Sequence, residues 1–209
     1  MAVVITLAQQ KGGTGKTTLA ANLAVALAAR FRVALLDIDP QRSLTRWFGL
    51  RAARVPPAAV LGFSDVSGWR LGAELDRLRR EHDVVLIDSP PRVDTDARLA
   101  IRGADLVLVP VQPSPPDVWA AEDTMKLAAA ERRRAAIVLN RVPPTSRLRD
   151  AVAADLAARG QPLLQAGIGN RTGFSAAFAD GLGVIEAAPR SSASKELRSL
   201  TDELLGMIG

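Results

Sequence analysis

The sequence predicts an α/β protein with a doubly wound, mainly parallel sheet and helices on both faces. Short runs rich in β-branched residues are almost continuously apolar, as is typical of strands buried on both sides. Segments rich in alanine and leucine alternate with these runs, and this alternation favours parallel strands joined by helices. A length of 209 residues fits a single domain that spans residues 1–209.

The predicted elements follow one another along the whole chain. The apolar runs predict strands at Val3–Ala8, Val33–Ile38, Val84–Asp88, Leu106–Val111 and Ile137–Asn140, with a further candidate at Pro162–Gln165. Helices are expected at Thr17–Ala29, Val118–Ala130 and Leu148–Ala158. The segment Ala52–Gly72 contains several prolines and glycines and is interpreted as loop-rich. Ser191–Ile208 has leucines at helical spacing and predicts an amphipathic helix with a serine cap.

Composition narrows the class of protein. The chain contains no cysteine, which excludes disulfides, thiolate metal sites and iron–sulfur clusters and favours a cytoplasmic location. The first residues lack the basic region and cleavage site of a signal peptide, and no apolar run approaches the roughly 20 residues that a membrane helix needs. The net charge of +5 would help binding to DNA or anionic lipid, although an arginine-rich coding bias explains it slightly better.

The first segment with recognisable chemistry is the glycine-rich stretch from Gln10 to Thr18. It follows the first predicted strand and opens the first predicted helix, which is the context of a phosphate-binding loop. Glycines let several backbone N–H groups converge on one anion, and the helix N-terminus adds positive potential. Lys16 can reach the β- and γ-phosphates, the Thr17 hydroxyl can bind Mg²⁺, and Thr18 can approach the α-phosphate. Gln10 replaces the glycine of the usual pattern, and Lys11 is an additional lysine.

Carboxylates follow two further predicted strands. Asp37 and Asp39 lie at the end of the second strand, where open α/β sheets bind their ligands. Alternation places both on the same side, so one can support a metal ion while the other holds a water molecule. A pair of aspartates that caps the next helix is the alternative. Asp88 ends another apolar strand in the Walker B pattern, whose carboxylate helps to hold Mg²⁺ directly or through water.

Together these segments resemble the ParA/MinD superfamily of ATPases. The loop reads K-G-G-x-G-K-T-T, which is the deviant Walker A motif of that superfamily, and the run from Asp37 to Trp47 is most similar to the small ParF-like partition ATPases. The resemblance continues through Asp83–Pro91, Leu106–Pro113 and Gly173–Leu197, and so covers most of the chain. It implies the P-loop NTPase fold, ATP and Mg²⁺ as cofactors, and slow ATP hydrolysis that a partner accelerates.

The resemblance also implies roles for individual residues. Members of the superfamily hold two ATP molecules between two subunits, which implies an ATP-dependent homodimer. Lys11 would reach the partner subunit's phosphates, Lys16 would hold the phosphates of its own subunit, and Asp39 would orient the attacking water. The residues that would support Mg²⁺ are Thr17, Asp37 and Asp88. The nucleotide-binding set is Lys11, Gly12, Gly13, Thr14, Gly15, Lys16, Thr17, Thr18 and Asn140.

Asn140 follows a buried strand on the ligand side of the predicted sheet. The resemblance implies a hydrogen bond from this residue to adenine, and a strand-end turn asparagine is the alternative. Gln112 follows another strand and is a weaker candidate to flank the nucleotide.

Macromolecular partners follow from the same resemblance. Members bind DNA nonspecifically through basic residues on the dimer surface, where phosphate contacts require only positive charge. Arg171 is the first candidate, because it matches the basic position before the segment that begins at Phe174; Lys195 and Arg198 come next. Each is also compatible with an ordinary solvated side chain. A ParB- or ParG-like adaptor or a cargo protein would stimulate hydrolysis, and the protein would be associated with the nucleoid.

Three functions remain open from the sequence. The first is an ATPase that binds DNA and segregates a plasmid or chromosome or positions a protein cluster. The second is a MinD-like membrane switch, although the acidic residues and missing aromatics of the last predicted helix favour packing over membrane binding. The third is a metabolic ligase or reductase on the same fold, and the absence of cysteine excludes reductases that carry a cluster.

Overall fold

A computed structural model describes residues 2–55, 61–91, 95–145 and 147–208. The strands are β1 (Val3–Leu7), β2 (Val33–Asp37), β3 (Gly62–Asp65), β4 (Val84–Asp88), β5 (Leu106–Val111) and β6 (Arg134–Leu139). The helices are α1 (Lys16–Leu27), α2 (Ser43–Arg54), α3 (Leu71–Glu81), α4 (Thr95–Gly103), α5 (Pro115–Ala130), α6 (Arg147–Ala158), α7 (Thr172–Ala179), α8 (Val184–Ala187) and α9 (Ser192–Ile208). Among these helices, none is both long enough and apolar enough to cross a membrane.

The described strands form one parallel sheet in the order β3-β2-β4-β1-β5-β6. The chain moves from β1 towards one edge and later returns to build the other, so the predicted doubly wound topology is confirmed. Successive strand residues point to opposite faces, and the core is divided accordingly. Leu35 and Leu86 pack with α1, α2 and α7–α9 on one face, whereas Leu36 and Ile87 belong to the face covered by α3 and α4.

Two predicted segments differ from the structure. The interpretation of Ala52–Gly72 as loop-rich is wrong in part, because β3 lies within it and pairs with β2 as a short, half-buried edge strand. Residues 56–60 of that segment lie outside the described residues. The candidate strand Pro162–Gln165 contributes only an isolated bridge between Leu163 and Ile137.

Helix α5 begins three residues earlier than predicted, at Pro115 rather than Val118. The Ser114 side chain caps it by accepting a hydrogen bond from the backbone N–H of Asp117, and two prolines fit the first turn because their missing N–H groups have no partner there. This start brings the first turn of α5 close to the glycine-rich loop, as the contacts of Asp117 demonstrate.

The carboxyl ends of the parallel strands meet at one edge of the sheet. The glycine-rich loop follows β1, Asp37 ends β2, Asp88 ends β4 and Asn140 follows β6. The register places Asp37 directly beside Asp88, and Asp65 at the end of β3 directly beside Asp37. Because paired residues in a parallel register point to the same face, three carboxyl groups lie in a row at this edge.

Candidate functional site

The glycine-rich loop adopts a conformation that requires glycine at two positions. Gly13 and Gly15 have φ angles of +79° and +91°, in the left-handed region that disfavours a side chain. A Cβ atom on Gly15 would also lie 2.6 Å from Nδ2 of Asn140. Gly15 caps α1 without a side-chain partner, so the first N–H groups of α1 remain available to an anion at the loop.

Side chains from the ends of β5 and β6 hold this loop in place. Asn140 Nδ2 donates a hydrogen bond to the carbonyl of Thr14 at 2.7 Å. Gln112 Nε2 and the Arg141 guanidinium both donate to the carbonyl of Gly13, at 3.1 and 3.0 Å. Asn140 and Gln112 therefore flank the site as the sequence suggests, and the hydrogen bond from Asn140 to adenine stays a prediction.

Lys16 is buried at the start of α1, beneath the loop. Its ammonium donates a hydrogen bond to the carbonyl of Gln9 at 3.1 Å. Burial lowers the pKa of Lys16, and the negative charges of Asp88 and Asp39 oppose that shift. A desolvated ammonium with one neutral partner has strong affinity for an anion of matching geometry, such as a nucleotide phosphate.

Asp88 is fully buried, and neither of its carboxylate oxygens has a hydrogen-bond partner. Burial raises the pKa of Asp88 to about 7, the charge of Asp37 adds to the rise, and the nearby Thr17 hydroxyl and Lys16 ammonium oppose it. A buried carboxylate without a donor is costly unless a ligand or ion compensates it. Asp88 is therefore a candidate ligand for a cation, as the sequence predicts.

Asp37 is held differently from its neighbour. One oxygen accepts hydrogen bonds from the backbone N–H and the hydroxyl of Thr45, at 2.9 and 2.7 Å, and the other accepts from the backbone N–H of Asp39 at 3.0 Å. Burial raises its pKa, while these hydrogen bonds oppose the shift. Asp37 thus ties β2 to α2 and to the loop that carries Asp39, and its part in holding Mg²⁺ stays a prediction.

Two adjoining cavities surround the loop. The first, of about 260 Å³, is lined by residues that include Gly12, Gly13, Lys16, Thr17, Thr18 and Asp39. The second, also of about 260 Å³, is lined by residues that include Asn140, Arg141, Arg171 and Phe174. The first has the donors that phosphates need, and the second offers an aromatic ring and an amide beside it. Their union suits a nucleoside polyphosphate.

The donor set near Asp88 fits Mg²⁺ shared with a nucleotide. In the described ranges, no three or more histidine, cysteine or acidic side chains are arranged to hold a metal ion by themselves. Mg²⁺ commonly binds through one or two protein ligands together with substrate phosphates and water. The unpartnered Asp88 and the Thr17 hydroxyl would supply the protein ligands, and Asp37 would support the site through the loop that it fixes.

Lys11 lies apart from the other predicted phosphate ligands. Its ammonium forms an ion pair with Oδ2 of Asp117 in α5, and it is not among the residues that line the phosphate cavity. The Asp117 side chain is 1% exposed, whereas that of Lys11 is 41% exposed. The predicted ligands Lys16, Thr17 and Thr18 thus line one cavity, whereas the Lys11 side chain faces α5 of its own chain.

The three DNA candidates occupy two different settings. Arg171 donates to Glu196 at 2.7 and 3.2 Å, and it lines the second cavity beside the loop. Lys195 and Arg198 are exposed on α9, with Arg198 within 3.5 Å of the Pro189 carbonyl. Their role in DNA binding stays a prediction.

Sequence reasoning missed three residues that shape the site: Thr45, Asp117 and Arg141. The motif Ser114-x-x-Asp117 is a helix-start signal that predicts the position of Asp117, although not its ion pair. Arg141 has a φ of +53°, which no local sequence signal predicts for arginine. Thr45 depends on the position of α2, a helix that the sequence interpretation did not identify.

Comparison with known proteins agrees with this geometry. Residues 5–184 match the family model described as the CobQ/CobB/MinD/ParA nucleotide binding domain. "Maintenance of carboxysome distribution protein A" of Halothiobacillus neapolitanus is 31% identical over 212 residues, which cover 98% of this chain and 97% of that protein. Apo McdA of Cyanothece has a TM-score of 0.81 at 21% identity and covers 98% of this chain and all of that one. MinD of Pyrococcus horikoshii, complexed with Mg-ADP, has a TM-score of 0.77 at 21% identity over 100% and 98% of the two chains.

The family model covers most of the chain, and the first relative is similar over nearly its full length. The parallel sheet with helices on both faces agrees with the fold of MinD. The chain therefore belongs to the CobQ/CobB/MinD/ParA nucleotide-binding domain family and is a ParA/MinD-type ATPase.

Proposed function

We propose that this chain binds Mg-ATP, pairs with a second copy in the ATP-bound form, binds DNA nonspecifically as a pair, and positions a protein cargo. The observation that supports the nucleotide site most strongly is the buried, unpartnered carboxylate of Asp88 beside the desolvated ammonium of Lys16. The Asp88 carboxylate would bind Mg²⁺, and the Lys16 ammonium would bind the phosphates of ATP.

Each residue of the phosphate cavity has a defined part in hydrolysis. Lys16 moves from the Gln9 carbonyl to the β- and γ-phosphates, while the first N–H groups of α1 hold the same anion. When bound, Mg²⁺ neutralises charge that develops on the phosphates. Asp39 lines the cavity beside the loop, where its carboxylate orients a water molecule towards the γ-phosphate. A carboxylate beside the γ-phosphate is a poor general base, so it orients the water molecule instead of deprotonating it, and unstimulated turnover is slow.

Pairing of two chains would complete the site. Lys11 precedes Gly12, which lines the phosphate cavity, and its side chain is partly exposed although it does not line that cavity itself. In the pair, Lys11 contacts the γ-phosphate held by the partner subunit and stabilises negative charge in the transition state. Hydrolysis removes that contact and returns the pair to single chains.

The cargo is proposed from the Halothiobacillus relative, whose name refers to the distribution of carboxysomes. The ATP-bound pair binds DNA through Lys195 and Arg198, with Arg171 nearby, and an adaptor protein on the cargo stimulates hydrolysis. Repeated release and rebinding would distribute a large protein assembly over the nucleoid. A plasmid or chromosome partition complex is the alternative cargo for the same cycle.

A MinD-like membrane switch gains no support from the last described helix. The apolar residues of α9, among them Leu197, Leu200 and Leu204, are buried in the core that includes α1. A helix whose apolar face is mostly occupied by the protein has little apolar surface left for lipid.

DNA binding in the presence of nucleotide tests the proposal. Binding of a fluorescent 60-base-pair duplex is measured with ATP, with ADP and without nucleotide, at two salt concentrations, against vesicles of anionic lipid as a second surface. We expect salt-sensitive DNA binding only with ATP and Mg²⁺, and none to vesicles. Equal DNA binding in all nucleotide states contradicts the switch, and ATP-dependent vesicle binding without DNA binding favours the membrane function.

A further inference from the structure

Lys11 and Asp117 form an ion pair that the nucleotide site does not use. Oδ2 of Asp117 accepts from both the Lys11 ammonium and the Ser114 hydroxyl. Oδ1 is buried and has no hydrogen-bond partner. Asp117 lies in the first turn of α5, where the helix N-terminus also favours its negative charge.

The same turn is connected to Lys16 through Gln9. The Gln9 side chain donates to the backbone carbonyl of Asp117 and accepts from the Thr124 hydroxyl, at 3.4 and 3.5 Å. The Gln9 carbonyl is the acceptor for Lys16 at 3.1 Å. The first turn of α5 thus contacts both lysines of the loop, Lys11 through a carboxylate and Lys16 through one intervening residue.

We propose that Asp117 is a positioning residue that holds Lys11 within its own chain in the nucleotide-free state, and that this ion pair, the Lys11 latch, opens when two ATP-bound chains meet. Opening leaves the Asp117 carboxylate buried with only the Ser114 hydroxyl and the helix N-terminus to stabilise it. That loss opposes pairing, because a buried charge stripped of its partner is unfavourable. The latch therefore sets a threshold that only the γ-phosphate of a partner overcomes. This inference rests on the proposed ATP-dependent pair.

The existence of the latch is tested without nucleotide or pairing. The chain has four lysines, Lys11, Lys16, Lys126 and Lys195, so reductive methylation followed by mass spectrometry reports on each one. We expect Lys11 to be methylated more slowly than the exposed Lys195. In the Asp117→Asn variant, the methylation rate of Lys11 should rise roughly threefold or more relative to that of Lys195. Rates for Lys11 that match Lys195 in the unsubstituted chain overturn the latch, and this comparison needs no variant to fold.

A matched control comes from the same helix. Asp123 is exposed in α5 and pairs with Lys126 at 3.4 Å, at a spacing of three residues. Asp123→Asn removes the same charge without touching Lys11, and we expect the Lys11 rate to stay unchanged. If Asp123→Asn accelerates methylation of Lys11 as much as Asp117→Asn does, the faster rate comes from the change in net charge and not from the loss of the ion pair, and the latch is overturned.

The role of the latch is tested by pairing. In an Asp39→Ala background that blocks hydrolysis, the monomer–dimer constant with ATP and Mg²⁺ is measured by sedimentation equilibrium. We expect Asp117→Asn to tighten the pair roughly fivefold, with Asp123→Asn unchanged. Faster Lys11 methylation without tighter pairing overturns the threshold role while the ion pair stands.

The latch and the proposed function fail in different ways. If no variant pairs with ATP, yet Lys11 is protected until Asp117 is substituted, the proposed pair is wrong and the threshold role falls with it. If the chain pairs with ATP while Lys11 is equally reactive with and without Asp117, the pair stands and the latch is wrong.

Discussion

The carboxyl edge of the sheet and the three candidate DNA-binding residues both carry charges that the sequence analysis assigned to ligands, but their surroundings differ. At the sheet edge, Asp88 is buried with no hydrogen-bond partner, and Lys16 is buried with one neutral partner. Among the DNA candidates, Arg171 lies near the loop and already has Glu196 as its counter-ion, while Lys195 and Arg198 are exposed to solvent on α9.

This difference separates two strengths of inference. A buried charge without a partner is unfavourable in the free protein, so its retention is explained by a ligand that compensates it. An exposed charge is well solvated and requires no ligand. The structure therefore supports the nucleotide site much more strongly than the DNA surface.

Removal of the Lys16 charge is expected to have the largest effect. Lys16→Ala deletes the ammonium buried beneath the loop, and we expect ATP affinity to fall by at least about 100-fold, since hydrogen bonds to charged groups in a desolvated site are strong. Isothermal titration calorimetry with Mg-ATP measures this, with Lys126→Ala as the control because its side chain is 72% exposed on α5. An equal loss of ATP affinity in both variants would contradict the claim that the buried Lys16 binds the phosphates.

Neutralisation of Asp88 is expected to change the pH dependence of stability. Because burial raises the pKa of Asp88 to about 7 in the folded chain, the folded state binds the proton more tightly than the unfolded state, whose carboxyl titrates near 4. The contribution of Asp88 to the free energy of unfolding is therefore greatest below pH 4 and falls as the pH rises to about 7. Asp88→Asn removes this decrease in the free energy of unfolding between pH 4 and pH 7.

We expect Asp88→Asn to be more stable than the unsubstituted chain by about 4 kcal/mol at pH 8 and nearly equally stable at pH 4, without nucleotide. Urea unfolding at the two pH values measures both differences, and the exposed Asp123→Asn serves as the control. Saturating Mg-ATP should reverse the order at pH 8, because only the carboxylate binds the cation. A variant that is less stable than the unsubstituted chain at pH 8 would mean that Asp88 has a partner after all.

Charge reversal on α9 is expected to have the smallest effect. In the pair, the double substitution Lys195→Glu and Arg198→Glu removes these cations from both subunits; it should weaken DNA binding at least about tenfold and reduce the slope of log affinity against log salt by up to about four. Arg171→Ala should reduce DNA affinity by less than the double substitution does, because Glu196 already neutralises that arginine. Fluorescence anisotropy with a DNA duplex measures both affinities. The control is Arg80→Glu in α3, which covers the face of the sheet opposite to α9. A larger loss for Arg171→Ala would indicate that its ion pair opens to bind DNA.

Local pattern predicted which side chains meet at the carboxyl edge of the sheet, although their roles in binding stay predictions. A buried strand followed by a glycine-rich turn positions Lys16 and Thr17, and strands that end in aspartate position Asp37 and Asp88, because all parallel strands end at one edge. The prediction was weaker for β3, since four half-buried residues at a sheet edge carry little apolar pattern. Helix α2 was not identified, although Leu44, Trp47 and Arg51 have helical spacing, because arginine is not counted as a core residue.

Contacts between distant segments were beyond the sequence. The Lys11 latch joins residues 106 positions apart, and the ion pair of Arg171 with Glu196 joins a loop to the last described helix. Both contacts involve side chains that the family resemblance assigned to phosphate binding. Only tertiary packing determines whether such a side chain is free or already has a partner.

The molar mass of the Asp39→Ala variant, measured by size-exclusion chromatography with multi-angle light scattering, tests the central claim most directly. With saturating ATP and Mg²⁺ we expect the mass of two chains, and with ADP the mass of one, because only the γ-phosphate gives Lys11 of the second chain an anion to contact. A mass of one chain with ATP demonstrably bound would contradict the account.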